Sequence, residues 1–276
     1  MGGRSSTYKE RIKSIGDLIK ELDKKYKSSK ESDKILDLGN AEAETKLEGN
    51  FKYKDSLNDK NYMICNSLND IDKKIKESTI DQIAFLSNRY KHLIKNILDD
   101  SEVKVRSYAI NDIYLKRKQT LPNYSTIACW SKSTKQICIN QRVNKSYESV
   151  VEKVKYSQST GHFMQTDNNT QDRYILTHEF GHFLEDCLIK KRLNTDTYTE
   201  PQRYREALNI TDEICQIAKS KYKATATDIQ FISKYGHTNA YEWFAEMFTS
   251  SILSSQKSPL NNAMLDYLRK KKENKQ

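Results

Sequence analysis

At 276 residues with 36% hydrophobic content the chain can build one good core or two small ones, but it has no run of about eighteen apolar residues, so a membrane-spanning helix is excluded. Its net charge of +10 is spread along the chain, with only short basic runs at 116–118, 190–192 and 269–272; a nucleic-acid binder more often gathers its charge on one face or arm, so no nucleic-acid partner is expected. Residues 1–8 lack the apolar stretch of a secretory signal, which predicts a cytoplasmic protein, with virion association or non-classical secretion as the other routes.

Residues 1–78 are rich in Lys, Glu, Asp and Ser and read as a polar, partly helical or disordered segment. Within them Ile12, Ile15, Leu18, Ile19 and Leu22 follow helical spacing, predicting a helix near 8–28; 29–60 reads as linker. Ile64, Leu68, Ile71 and Ile75 suggest a second helix. A stronger one starts at Thr79 or Asp81, with Ile83, Leu86, Tyr90, Leu93, Ile94 and Ile97 on one face and His92 toward solvent. Residues 103–110 alternate as a strand, and 125–130 with 136–140 read as a hairpin around Ser131–Lys135. A helix over 146–157 follows, then a polar loop from Ser159 to Thr170 that contains His162.

The next helix, capped by Asn169 or Asp172, carries His178-Glu179-Phe180-Gly181-His182, an H-E-x-x-H pattern. Positions i and i+4 share one helix face, so both imidazoles can grip one Zn²⁺, and Glu179 beside them can take a proton from water. The flanks Tyr174-Ile175-Leu176 and Phe183-Leu184 are apolar, which predicts a buried helix. Ionisable groups there are costly unless paired or metal-bound. Gly181 costs about 1 kcal/mol against Ala in a helix interior, so something is expected to approach its backbone closely.

Beyond the motif, helices are predicted over 200–219, 226–234, 239–254 and 260–272. A catalytic zinc needs a third protein ligand. Downstream, His237, Glu242 and Glu246 are the candidates, and the helix with Trp243, Phe244, Met247 and Phe248 as its apolar face is the only strongly apolar one after the motif that carries two carboxylates. Glu242 is therefore assigned as the ligand, with Asn239 or Thr238 as the helix cap, and Glu246 as acceptor for a ligand imidazole N–H. Cys65, Cys129, Cys138, Cys187 and Cys215 are odd in number and share no C-x-x-C spacing, so reduced thiols are expected, with Cys187 in packing.

The stretch Tyr235-Gly236-His237-Thr238-Asn239-Ala240-Tyr241-Glu242-Trp243-Phe244-Ala245-Glu246, coming after HEFGH, resembles the catalytic domain of anthrax lethal-factor-type metallopeptidases, to which Pro-Pro endopeptidases and phage or mobile-element homologues are related. The resemblance spans roughly 100–270. It implies Glu242 as third zinc ligand, Glu246 as supporting carboxylate and Tyr235 as oxyanion donor. Trp243 stands where the family usually has Phe. His237 stands where the toxin often has Arg, which makes it a candidate substrate contact and sets toxin-like specificity in doubt.

The expectation is thus an α+β chain: a polar segment over 1–78, then a zincin-like domain over 79–276 with a small mixed sheet, the motif helix and a helical C-terminal half. The expected function is zinc-dependent endopeptidase action on a protein or peptide substrate, with the 125–141 hairpin as an edge for the substrate backbone and specificity in the loops 158–171, 190–200 and 220–238. The alternatives are a zinc-bound but non-catalytic phage or mobile-element interaction protein, a regulatory peptidase with one cognate partner that docks on 1–78, and a secreted effector.

Overall fold

The computed structural model describes residues 51–54, 61–65, 68, 70–94, 103–108, 126–132, 135–195 and 197–273. The helix expected over 8–28, most of the linker over 29–60, the basic run at 116–118 and the side chain of His92 lie outside the described residues.

The described residues form a mixed chain with more helix than sheet: after the last strand only helices follow. The strands are β1 (Phe51–Lys54), β2 (Asn61–Cys65), β3 (Val103–Tyr108), β4 (Ala128–Ser131) and β5 (Gln136–Asn140), in the order β1-β2-β3-β5-β4. β2, β3 and β5 run parallel; β1 and β4 close the two edges antiparallel. Parallel neighbours need a crossover, and α1 (Lys73–Ile94) lies between β2 and β3 in the chain. The hairpin β4–β5 is in register with Cys129 opposite Cys138 and Trp130 opposite Ile137. Then follow α2 (Tyr147–Ser159), α3 (Gln171–Leu193), α4 (Glu200–Tyr222), α5 (Ala226–Gln230), α6 (Ala240–Leu253) and α7 (Pro259–Glu273).

The chain departs from the sequence expectation in its early half. β1 falls in the expected linker, and β2 begins where a helix through Ile64 was expected. Asp70 explains the second error: its φ of 55° is left-handed, which a continuous helix over Ile64–Ile75 cannot contain. The helix starts instead at Lys73, where Asp72 Oδ1 accepts the N–H of Lys74 at 2.8 Å. The 78/79 division therefore falls inside α1, and the strands before it belong to the same sheet as β3. α5 stops at Gln230 rather than Lys234, because the N–H groups of Lys234 and Tyr235 turn away to the carbonyls of Gly161 and His162.

One apolar core joins these elements. Ile83, Leu86 and Leu93 of α1, Ile137 and Ile139 of β5, Phe180, Phe183 and Leu184 of α3, Phe244 and Phe248 of α6, and Leu260 and Met264 of α7 are all buried in it. α3 runs through its middle, against α1, β4 and α6. Gln82 reaches Thr177 at 2.9 Å from α1, and Trp130 meets Phe183 with ring centres 5.0 Å apart from β4. No helix among the described residues is long and apolar enough to cross a membrane.

Candidate metal centre

α3 bears its motif where it crosses α6, and Gly181 makes the crossing close. A Cβ built on Gly181 would lie 3.0 Å from the Ala245 Cα and 3.3 Å from Phe248. The two backbones thus approach as only glycine permits, and Glu242, one turn before Ala245, is carried up to the imidazoles. Asn239 fixes that first turn: its Oδ1 accepts the Glu242 N–H at 3.0 Å as the N-cap of α6. At the start of α3 neither expected cap operates. Asn169 is left-handed at φ 72°, Asp172 instead accepts the Ser78 hydroxyl at 2.7 Å, and Thr170 is the cap residue with no side-chain cap bond.

His178, His182 and Glu242 form a group with the donor types and spacing of a metal site. His178 Nε2 lies 3.0 Å from Glu242 Oε2 and 3.1 Å from His182 Nε2, and His182 Nε2 lies 3.3 Å from the same carboxylate oxygen. Ligand atoms held tetrahedrally at about 2.0–2.1 Å from an ion stand roughly 3.3 Å from one another, so the three atoms need to move only tenths of an ångström to hold Zn²⁺.

The outer ring nitrogen of His178 is served too. Glu246 Oε1 stands 3.0 Å from His178 Nδ1, within ion-pair distance though outside hydrogen-bond geometry. A proton on Nδ1, beside this carboxylate, leaves Nε2 with its lone pair free for a metal. Glu246 is fully buried and accepts three donors: the Tyr174 hydroxyl at 2.9 Å, the Met164 N–H at 2.8 Å and the Ser233 hydroxyl at 2.6 Å.

Glu179 is buried beside the pair, and its Oε2 accepts the backbone N–H of Trp130 at 2.7 Å. Asn140 N–H donates to Ile127 on the side of β4 that faces β5, so by strand alternation the Trp130 N–H projects from the edge away from β5. The edge strand thus holds the predicted base. The Tyr235 ring meets the ring of His178, 5.6 Å away, and that of His162, 5.4 Å away, both at a tilt.

Electrostatics favour a cation at this point. Burial disfavours charge on His178, but Glu242 and Glu246 outweigh it and raise the imidazole to about 10. Burial pushes Glu242 up, and the two imidazoles more than reverse this, holding its carboxylate well below the usual range. Burial raises Glu179. Burial, then Glu242 and Glu179, push the Tyr235 phenol far up, so it keeps its proton. Three carboxylates against two imidazoles leave a negative excess that a divalent ion would offset.

Of the remaining sequence candidates, His237 lies exposed on the Tyr235 loop with Nε2 3.2 Å from the Gln230 carbonyl, outside the three-residue group. His162 is a loop residue, but its ring packs on Tyr235 and burial lowers its pKa. Cys187 is buried in the core, and burial pushes its thiol up. The Trp130 N–H, Tyr174 and Ser233 were not anticipated. Tyr174 had a signal, standing one turn before His178 on the same face; the others had none. The chain matches no protein-family model, no curated protein and no solved structure.

Proposed function

We propose that this protein is a zinc-dependent endopeptidase of the lethal-factor type, with a zincin-like fold. The observation that carries the reading is the triangle of His178, His182 and Glu242 atoms, 3.0–3.3 Å on a side, with Glu179 held beside it by the edge strand. The resemblance of HEFGH and of 235–246 to that family supports it independently.

Zn²⁺, when bound, lowers the pKa of water toward about 7 and polarises a peptide carbonyl. The protein's own groups supply the rest. Glu179 has one oxygen fixed by Trp130, which leaves the other to take the proton of the attacking water and pass it to the leaving amine. Burial raises Glu179, which suits a group that must hold a proton and then release it. Tyr235 keeps its phenol proton and donates toward the oxyanion that develops on the substrate. Glu246 fixes the His178 tautomer. The outer edge of β4, where the Ala128 backbone groups and the Trp130 carbonyl point away from β5 beside Glu179, suits an extended substrate added as a further strand.

The test pairs metal analysis with cleavage of a mixed peptide library. Wild type should hold about one zinc per chain and cut. Glu179→Ala should hold the same zinc and cut nothing; His178→Ala and Glu242→Ala should lose both. Zinc near zero in wild type removes the reading. Zinc bound with no cleavage by any variant leaves a metal-binding interaction protein in its place.

A further inference from the structure

Tyr235 sits in a loop, and a loop residue is a poor place for a group that must meet a transition state to within tenths of an ångström unless something ties it down. The structure has such a tie, and it runs to Glu246. Ser233 donates its hydroxyl to Glu246 Oε2 at 2.6 Å, and the same oxygen atom of Ser233 accepts the Gly236 N–H at 3.0 Å. Ser233 thus spans the turn on either side of Tyr235. Gly236 allows this compactness: a Cβ there would meet the Ile232 side chain at 2.8 Å and Ser233 Oγ at 3.2 Å. From the other side, the Lys234 and Tyr235 N–H groups donate to Gly161 O at 2.9 Å and His162 O at 3.0 Å, and the Lys234 ammonium reaches the Thr160 carbonyl. The 160–164 segment is itself pinned to Glu246 through the Met164 N–H.

We propose that Ser233 is a positioning residue: it ties the loop that carries Tyr235 to the carboxylate that orients His178, so that one buried group sets both the oxyanion donor and a metal ligand. The inference rests on the peptidase reading for the role of Tyr235, but the tie itself does not. Glu246 alone would orient His178; the Ser233 hydroxyl adds nothing to that imidazole directly. What it adds is a fixed distance from Tyr235 to the same carboxylate. Ser233 is buried, at 4% exposure, so its hydroxyl acts within the fold and not on substrate.

Two measurements test this. The first is amide hydrogen exchange on the full chain, with and without added zinc. Ser233→Ala should speed exchange over 233–238 by about tenfold while α3 and α6 keep their protection. Unchanged exchange in that loop overturns the tie, whatever the protein cleaves. The second is a double-mutant cycle on a fluorogenic peptide library at fixed zinc occupancy. Ser233→Ala should lower kcat by about 10- to 100-fold with KM little changed, and should cost nothing further in a Tyr235→Phe background. An equal loss in both backgrounds means that Ser233 acts on the fold in general, which overturns the positioning role while leaving the peptidase reading intact. If wild type cleaves nothing, that reading fails and the exchange result alone decides the tie. Should Ser233→Ala not fold, Ser233→Cys, close in shape but a weak donor, carries both measurements.

Discussion

On the proposed reading, Tyr235 and Glu246 each act through single hydrogens. The Tyr235 phenol is kept protonated by burial and by the carboxylates of Glu242 and Glu179. Tyr235→Phe removes only the donated hydrogen. Zinc content and KM should stay, and kcat should fall by about 10²–10³-fold, as when one oxyanion donor is lost; steady-state kinetics on a peptide substrate check it. A fall below tenfold would remove Tyr235 from the mechanism. Glu246 is the opposite kind of residue, remote from substrate yet joined to four groups on three segments: His178 and Tyr174 of α3, Met164 and Ser233. Glu246→Gln preserves shape but brings an amide N–H₂ against groups that also donate. It should weaken zinc binding by about 10–100-fold and cost about 1–3 kcal/mol of stability, read by a competition titration against a chromophoric chelator and by urea unfolding.

Two helices crossing at one glycine make the site possible, and this is where element and site meet. Gly181→Ala would gain about 1 kcal/mol in helix propensity. Against that, the new methyl stands 3.0 Å from the Ala245 Cα, a backbone atom that cannot rotate aside. The helices must part, and overpacking of this kind costs about 1–3 kcal/mol. The expected outcome is a lower unfolding midpoint together with weaker zinc binding, because α6 carries Glu242 away from His178 and His182; a stabilised protein with unaltered zinc affinity would refute it. The close approach at Gly181 was legible in the sequence, as were the motif helix and the ligand helix, because a helix repeats its face every 3.6 residues and writes that repeat into side chains. The hold on Glu179 was not legible, since a backbone N–H has no letter of its own and any residue at 130 would donate it. Nor was the Ser233 tie, which joins a loop to a helix thirteen residues on through tertiary contact alone. β1 escaped because Phe51-Lys52-Tyr53-Lys54 alternates over only four residues, and β2 because Ile64 also falls on helical spacing with Leu68, Ile71 and Ile75.

The molecule as a whole encloses a further buried acid, one turn beyond the H-E-x-x-H motif. Glu185 of α3 is fully buried and neither of its oxygens is hydrogen-bonded. Arg203 of α4 offers the nearest charge, with its Nη2 at 3.7 Å, but that guanidinium also lies 3.8 Å over the Tyr241 ring of α6 and reaches Glu200 at 3.4 Å. Glu200 in turn pairs with Lys132 in the β4–β5 turn at 3.1 Å, so hairpin, α3, α4 and α6 meet around one acid. Burial raises Glu185 to about 8; Arg203 and Lys132 oppose the rise, while Asp186 and Glu242 add to it. The consequence for stability has a definite sign. Below the ordinary carboxylate value near 4.5 both folded and unfolded chains hold the proton. Between there and about 8 the folded chain keeps a proton that the unfolded chain has lost, so stability falls as pH rises and levels off once the folded group has ionised. The loss is on the order of a few kcal/mol for a shift of this size. Glu185→Gln stays neutral throughout and should remove that slope. Urea unfolding of both proteins at pH 5.5 and 8.5 (about one unit above the lower value and just past the upper) isolates the effect as a difference between them, because the titrations of His178 and Glu242 are common to both. The variant's advantage should be clearly larger at the higher pH than at the lower, where only the first part of the loss has accrued; a gap of the same size at both would mean that Arg203 holds Glu185 ionised across the range.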